Sequence, residues 1–481
     1  MRARLLSTFA FLLIATPYAL AKEEKVLTDN DLIKEIISTT RPLQQPRGDR
    51  LPLYIWPAHN LGTTDEVKIT ALLKQLEERG MAAIANWRPS DSENLKQALL
   101  LGRIQQRLGL PIAIDATSCT NSFCNGDLKT AHIDAQGEPF FDESFAKGSK
   151  MGCPFALNFR IPEMKKQVED PVRAYREAGL DIHFIFADWE IDGPIEWNGA
   201  WESSKRCSRC RERIPAIQDF SAFQTALRLK RSELQREMLA DPVLAHFPQA
   251  LVGNYGVYPH DGYRYWFDYF EEFVEGAPHK VEGRARYRRW FDEFPLTRYT
   301  FAMPVVYTWE DIFNWYDFEN ADYRWFYNML LAGSNVGQAT PADIPIIPFV
   351  HWHTIVLKET PGVKQFSEEK YQELLWHLLL RGHDTFFMWS PKTEALKESQ
   401  LAHQVYAASH PYREFLAHGQ PVSFAVPTQP GPVLSALKLD KRLLVRRTDF
   451  DAHQDPVPLY VEGQTIQVPR LQGSCQVFEL K

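Results

Sequence analysis

The stretch Phe186-Ala187-Asp188-Trp189-Glu190-Ile191-Asp192-Gly193 sets three carboxylates at alternate positions directly behind an apolar run. Side chains of an extended strand alternate between faces, so Asp188 and Glu190 point to one side, and Asp192 follows as the strand ends. Two carboxyl groups held that close repel when both are ionised, and the usual outcome is that one keeps its proton near neutral pH. A protonated carboxyl beside an ionised one is what glycoside cleavage requires. On this reading Glu190 is the general acid/base and Asp188 its electrostatic partner. The same pattern at a strand end also serves calcium binding and salt bridges, so the tripeptide alone does not decide between them.

Polar and aromatic residues close the other apolar runs as well. His59 follows the first, Asn86 and Arg88 the second, Asp115 the third, Asn254 and Tyr255 the fifth, with Asp261 a little beyond. Tyr307 and Trp309 end the sixth, His351 and His353 the seventh, and Trp389 the eighth. Sugars present hydroxyls around the ring and apolar C–H faces above and below it. Amide, carboxylate and imidazole groups satisfy the first, and Trp and Tyr faces cover the second. A carbohydrate substrate is therefore expected, contacted by Asn86, Asp115, Asp192, Asn254, Tyr255, Asp261, Tyr307, Trp309, His351, His353 and Trp389. Singly, each is as readily a wall or rim residue. The H-x-H of His351 and His353 supports a rival reading, a metal-dependent hydrolase completed by Asp115 or Asp188. A barrel that binds glycans without cleaving them is a third. The favoured reading calls for neither metal nor cofactor.

These residues need a scaffold that brings eight strand ends together. Eight short apolar or β-branched runs read as strands, starting at Leu51, Met81, Pro111, Ile182, Ala250, Tyr299, Pro345 and Asp384. The segments between them are long enough for helices. One helix carries Phe220, Phe223, Leu227, Leu234 and Met238 on a single stripe, with Lys230, Arg231 and Glu237 elsewhere around it. Others run from Met164 to Ala178 and from Tyr371 to Leu380. Eight strand–helix units predict an α/β fold, a (β/α)8 TIM-type barrel, with its active site at the C-terminal ends of the strands. The loops after the third, fourth and fifth strands are long and rich in Gly, Pro, Cys, Trp and Tyr. From Pro421 onward, alternating runs separated by short turns predict a small antiparallel β domain. The expected organisation is a leader over 1–21, an N-terminal extension over 22–47, the barrel over 48–420 and the β domain over 421–481.

The leader is read from Met1-Arg2-Ala3-Arg4, the apolar run Leu5 to Ala15, and Ala19-Leu20-Ala21, a secretory pattern with cleavage before Lys22. Its apolar stretch is about half the roughly 20 residues a membrane span needs. A secreted or periplasmic protein, free of the membrane after cleavage, is expected. A net charge of −7 argues against a polyphosphate partner, so nucleic acid is excluded. The six cysteines of an exported chain point to disulfides. Cys119 and Cys124 are close enough to staple one loop, Cys207 and Cys210 form a lone C-x-x-C, and Cys153 and Cys475 stand apart. A zinc site would need two further ligands at a recognisable spacing, and no second C-x-x-C supplies them.

The Asp188 to Glu190 motif, Asn254-Tyr255-Gly256-Val257-Tyr258-Pro259-His260-Asp261 after the fifth strand, and Trp389 ending the eighth resemble the hyaluronidase-type barrels and, more distantly, the chitinase group. The resemblance covers these motifs and the strand order. It implies that Glu190 is the general acid and that Asp188 helps the substrate's own N-acetyl group attack the anomeric carbon. Many barrel glycosidases set a nucleophilic carboxylate after strand seven, whereas this chain has Val350-His351-Trp352-His353 there. Either the substrate supplies the nucleophile, or water is activated by another carboxylate such as Asp115 or Asp261.

Overall fold

Eight parallel strands form one curled sheet: β1 (Leu53–Ile55), β2 (Met81–Asn86), β3 (Ile112–Asp115), β4 (Ile182–Ala187), β5 (Leu251–Asn254), β6 (Val305–Trp309), β7 (Phe349–Ile355) and β8 (Phe387–Met388). The computed structural model describes residues 27–57, 59–120, 126–144, 148–156, 161–189, 198–264, 288–289, 292–355, 362–452, 454–471 and 473–481. The expected leader, Cys124, Glu190 and Asp192 lie outside them. Each of the eight strands overlaps the run expected for it, with β6 and β7 each continuing two residues past its end. The spatial order is β6-β7-β8-β1-β2-β3-β4-β5, sequential around a ring. Such strands are covered on both faces, which is why they read as unbroken apolar runs. All six residues of β2 are buried.

Among the described residues no ladder joins β5 to β6. The stretch from Tyr299 to Tyr307, expected as one strand, divides at Pro304, which has no N–H to donate. The ladder with β7 starts at Val305, and before it Ala302 makes an isolated parallel bridge with Ile346. The first half fills the seam between β5 and β6. Thr300 donates its N–H to the Val252 carbonyl (2.9 Å), its Oγ1 accepts from the Val252 N–H (2.7 Å), and Met303 donates to Val257 (3.0 Å). Phe301 lies so close to β5 that a Cβ on Gly253 would meet its ring at 2.6 Å, so only glycine fits there. Inside the curl, aromatic rings fill the core. Tyr54 stacks on Phe184 at 4.1 Å between centroids, and Phe387 packs against Phe186 at 4.4 Å and Phe349 at 5.5 Å.

The covering helices are α2 (Glu66–Glu77), α3 (Ser92–Arg107), α4 (Ile161–Glu177), α5 (Phe220–Gln235), α6 (Ala321–Ala339), α7 (Glu368–Leu379) and α8 (Lys392–Ser409). Asp65, Asp91, Asp219, Asn320 and Ser367 cap α2, α3, α5, α6 and α7 through side-chain oxygens that accept first-turn amides. Each such cap contributes about 1 kcal/mol. Between β5 and β6 the described helix is only Phe294–Thr297. Residues 22–47, expected as a polar extension, contain α1 (Asp29–Thr39), which buries Leu32, Ile33, Ile36 and Ile37 in the main core.

The C-terminal part is antiparallel: β9 (Pro432–Leu439), β10 (Arg442–Asp449) and β13 (Cys475–Glu479) in one sheet, and the hairpin β11 (Val457–Val461) with β12 (Gln464–Val468). It docks on α7 through buried polar groups. Arg446 forks onto Glu373 at 2.9 and 2.5 Å, and His377 contacts Ser435 Oγ (2.7 Å) and Thr448 Oγ1 (2.9 Å).

Candidate active site

Among the described residues, the carboxylates brought together at the strand ends are Asp115, from β3, and Asp188, just past β4. Adjacent parallel strands place Asp115 beside Phe186. The turn after β3 completes the pairing, because the Thr117 N–H donates to Asp115 Oδ1 (2.8 Å) while Thr117 Oγ1 accepts the Asp188 N–H (2.8 Å). Asp115 is 5% exposed. The Trp56 indole donates to its Oδ2 at 2.9 Å, and His59 Nε2 stands 3.0 Å from the same oxygen, near enough for charge pairing though not aligned as a hydrogen bond. Burial alone would raise the Asp115 pKa, but His59, Thr117 and Trp56 outweigh it and hold the carboxyl below its ordinary value. Asp188 goes the other way. Burial first, then the Asp115 charge, push it up to about 7. The residue is only partly buried, yet Oδ1 is enclosed with no hydrogen-bond partner among the described residues. At neutral pH the site thus holds one firmly ionised carboxylate and one that readily carries a proton.

Behind Asp188 the chain is clamped. Asn254 accepts the Trp189 N–H (2.9 Å) through Oδ1 and donates to the Trp189 carbonyl (3.2 Å) through Nδ2. Arg231, 2% exposed, reaches that same carbonyl at 3.1 Å and lies 3.7 Å from the buried Glu293. Asn254, expected at the substrate, instead fixes the peptide from which Glu190 departs. Asn86 is likewise turned to the scaffold, its Oδ1 accepting from Asn60 (3.0 Å) and Asn94 (3.1 Å). That loop is tight: Asn60, Leu61 and Gly62 all have positive φ.

Aromatic residues cluster at the ends of β5 to β8. The hydroxyls of Tyr255 and Tyr307 meet at 2.9 Å across the seam. Trp389 packs against Tyr307 at 5.5 Å and edge-on to His351 at 4.8 Å. His351 is fully buried, and burial keeps it below its ordinary pKa despite Glu394. Its Nε2 faces Glu394 at 3.3 Å, and His353 Nε2 faces the other oxygen of Glu394 at 3.5 Å. The two histidines therefore converge on Glu394. Among the described residues they form no compact ligand group with Asp115 or Asp188. Asp261 is exposed at a turn after β5. The side chain of Trp309, like Glu190 and Asp192, lies outside the described residues.

No family model matches the chain, and no curated protein matches it. Among solved structures it is similar to alpha-L-fucosidase isoenzyme 2 from Paenibacillus thiaminolyticus, at 12% identity and a TM-score of 0.44, over 78% of this chain and 51% of that one. This chain thus spans about half the length of that fucosidase. It is similar to bee venom hyaluronidase at 12% identity and a TM-score of 0.33, over 60% and 83% of the two chains. With alpha-galactosidase I from Mortierella vinacea the values are 11% and 0.38, over 85% and 83%. At such identities and scores these likenesses carry no argument about activity.

Several residues of the site escape sequence reading. Thr117 and Trp56 hold Asp115, Arg231 holds Trp189, and Glu394 holds the histidine pair. Glu394 had a legible signal, since it occupies the first turn of the helix after β8 and so faces the same end of the sheet. Arg231 had none, being a charged residue off the apolar stripe of α5. No disulfide forms among the described cysteines: Cys119, Cys153, Cys207, Cys210 and Cys475 are free, and Cys124 lies outside the described residues.

Proposed function

We propose that this chain is a glycoside hydrolase acting on an oligo- or polysaccharide at the C-terminal ends of its strands. The observation that carries the reading is the unequal pair of carboxyls joined through Thr117, Asp115 held below its ordinary value and Asp188 raised to about 7, on a sheet whose other strands end in Tyr307, His351 and Trp389. A group that shares a proton near neutral pH beside a fixed negative charge suits the proton movements and the positive anomeric centre of glycoside cleavage. Glu190, one residue beyond the clamped Trp189 peptide, is the general acid. It protonates the glycosidic oxygen as the bond to the anomeric carbon breaks, and takes a proton back from the water that completes hydrolysis. With no carboxylate ending β7, an N-acetyl carbonyl of the substrate supplies the nucleophile, and Asp188 orients its N–H. The substrate class is accordingly an N-acetylhexosamine-containing glycan, and the protein is exported, with a mature N-terminus at Lys22 that sequencing of the secreted chain would identify.

The test is release of reducing ends from a panel of glycans with and without N-acetylhexosamines. Glu190→Gln should bind glycan like the parent and turn over at least about 100-fold more slowly, the worth of a general acid. Turnover within a few-fold of the parent would overturn the assignment. Cleavage that ignores acetylation would remove the role given to the substrate's own carbonyl.

A further inference from the structure

Away from the strand ends, the long loops after β3 and β4 form a satellite core of their own around Cys153, Trp201, Cys207, Cys210, Ile214 and Phe220. Within it His132, Cys153, Cys207 and Cys210 are buried, and one ligand atom from each lies within 4.8 Å of all the others. The sulfurs of Cys153 and Cys210 are 3.5 Å apart, those of Cys153 and Cys207 3.9 Å, and His132 Nδ1 is 3.9 Å from the Cys210 sulfur. A disulfide requires about 2.05 Å. Thiolates around a tetrahedral zinc, each bound at about 2.3 Å, stand about 3.8 Å apart. We propose that His132, Cys153, Cys207 and Cys210 form a structural Cys3His zinc site that fastens the β3 loop to the β4 loop.

The surrounding backbone is arranged to present these groups. Cys207 immediately precedes the short helix Ser208–Arg213, and Cys210 lies in its first turn, so the C-x-x-C puts both sulfurs on one side. Cys153 is fixed by its N–H to the Thr130 carbonyl (2.6 Å), and a Cβ on the preceding Gly152 would meet Thr130 at 2.5 Å, so the two segments touch. The His132 ring stacks on Phe140 at 5.1 Å, and its Nε2 is enclosed without a hydrogen-bond partner among the described residues. Arg209 and Ser208 hold the Ala131 and Ile133 carbonyls on either side of His132, at 2.7 and 3.1 Å. Three thiolates and an imidazole around zinc carry a net negative charge, and Lys205, Arg206, Arg209, Arg211 and Arg213 of the same segment offset it. Four donors close the coordination shell, which gives a structural rather than a catalytic metal. The thiolate-rich set selects zinc over magnesium or calcium.

The full chain, purified under reducing conditions and supplied with zinc, should contain about one zinc per chain by elemental analysis. In Cys153→Ser the zinc content should fall about tenfold or more, while Cys475→Ser, altered in the C-terminal sheet, keeps it. Should Cys153→Ser fail to fold, the parent chain decides alone. After removal of zinc by a chelator and refilling with cobalt(II), it should show thiolate-to-cobalt charge transfer and the intense visible bands of a tetrahedral site. It should also melt at lower temperature when stripped and recover with zinc. A chain that takes up no zinc, a cobalt form without those bands, or a mass showing a disulfide among Cys153, Cys207 and Cys210 would overturn the proposal.

Discussion

Replacing Asp188 with asparagine should make the protein relatively more stable as pH rises from 4 to 8, because the parent must ionise a carboxyl its surroundings disfavour. In the folded chain that carboxyl titrates at about 7 against an ordinary 3.8, through burial and then the Asp115 charge. The gap corresponds to about 4 kcal/mol set against the ionised form. A folded-state pKa above the unfolded one means that the parent is least burdened below 3.8 and loses stability progressively as pH rises towards 7. Asp115 has the opposite sign, its stabilisation being full above the ordinary carboxylate pKa and lost only as acid titrates it below that value. Asparagine cannot ionise, so the difference between variant and parent reports Asp188 together with its coupling to Asp115, which stays ionised across this window. Allowing for relaxation and solvent entry, roughly half of the full figure, about 2 kcal/mol, should appear. For a chain of this length that is a change of about 2 °C in the melting difference across the window. The assay is differential scanning calorimetry of both proteins at matched ionic strength from pH 4 to 8. A melting difference that stays flat with pH would refute the reasoning, because it would mean Asp188 ionises as freely in the folded chain as in the unfolded one.

Asn254→Ala should lower kcat more than it changes KM, since it frees the Trp189 peptide that leads to Glu190 while leaving the aromatic cluster intact; unchanged kcat on an active substrate would show that the clamp positions nothing. The same substitution leaves the buried Trp189 N–H without its acceptor, while Arg231 still reaches the carbonyl, and should cost about 1–3 kcal/mol in denaturant unfolding. Glu373→Gln should destabilise the chain by about 3–5 kcal/mol by leaving Arg446 buried without its counter-charge. Limited proteolysis should then cut between α8 and β9 faster than in the parent, and equal cutting rates would argue against docking through this pair.

The eight strands were legible because a parallel strand covered on both faces must be apolar throughout, and the runs through Ile84, Ile114, Ile185 and Val252 carry that signature. The stripe of α5 was legible for a similar reason. What failed was wherever a residue's partner sits far away in the chain. Pro304 broke a strand that hydropathy alone would continue. Asn86 and Asn254 were found as polar strand ends, but an amide that holds a neighbouring peptide looks in sequence just like one that meets a sugar. Arg231 looked like a surface charge, whereas it is enclosed against Trp189 and Glu293. Cys153 and His132 appeared unrelated to the C-x-x-C, because separations of 54 and 75 residues from Cys207 follow no ligand spacing and only the fold brings them together.

The seam between β5 and β6 gives this ring a preferred place to change its girth. A sheet with two free edges ordinarily invites pairing with other chains, but here each edge shields the other, so the hazard is removed without locking the circle. Anywhere else, a wider mouth would mean tearing apart adjoining strands. Among the described residues, the seam is held by the Thr300 and Met303 contacts and the hydroxyl bridge from Tyr255 to Tyr307, each worth about 1 kcal/mol. Because that bridge also belongs to the aromatic cluster, the bore of the groove and the slack in the ring are governed by one and the same tyrosine pair.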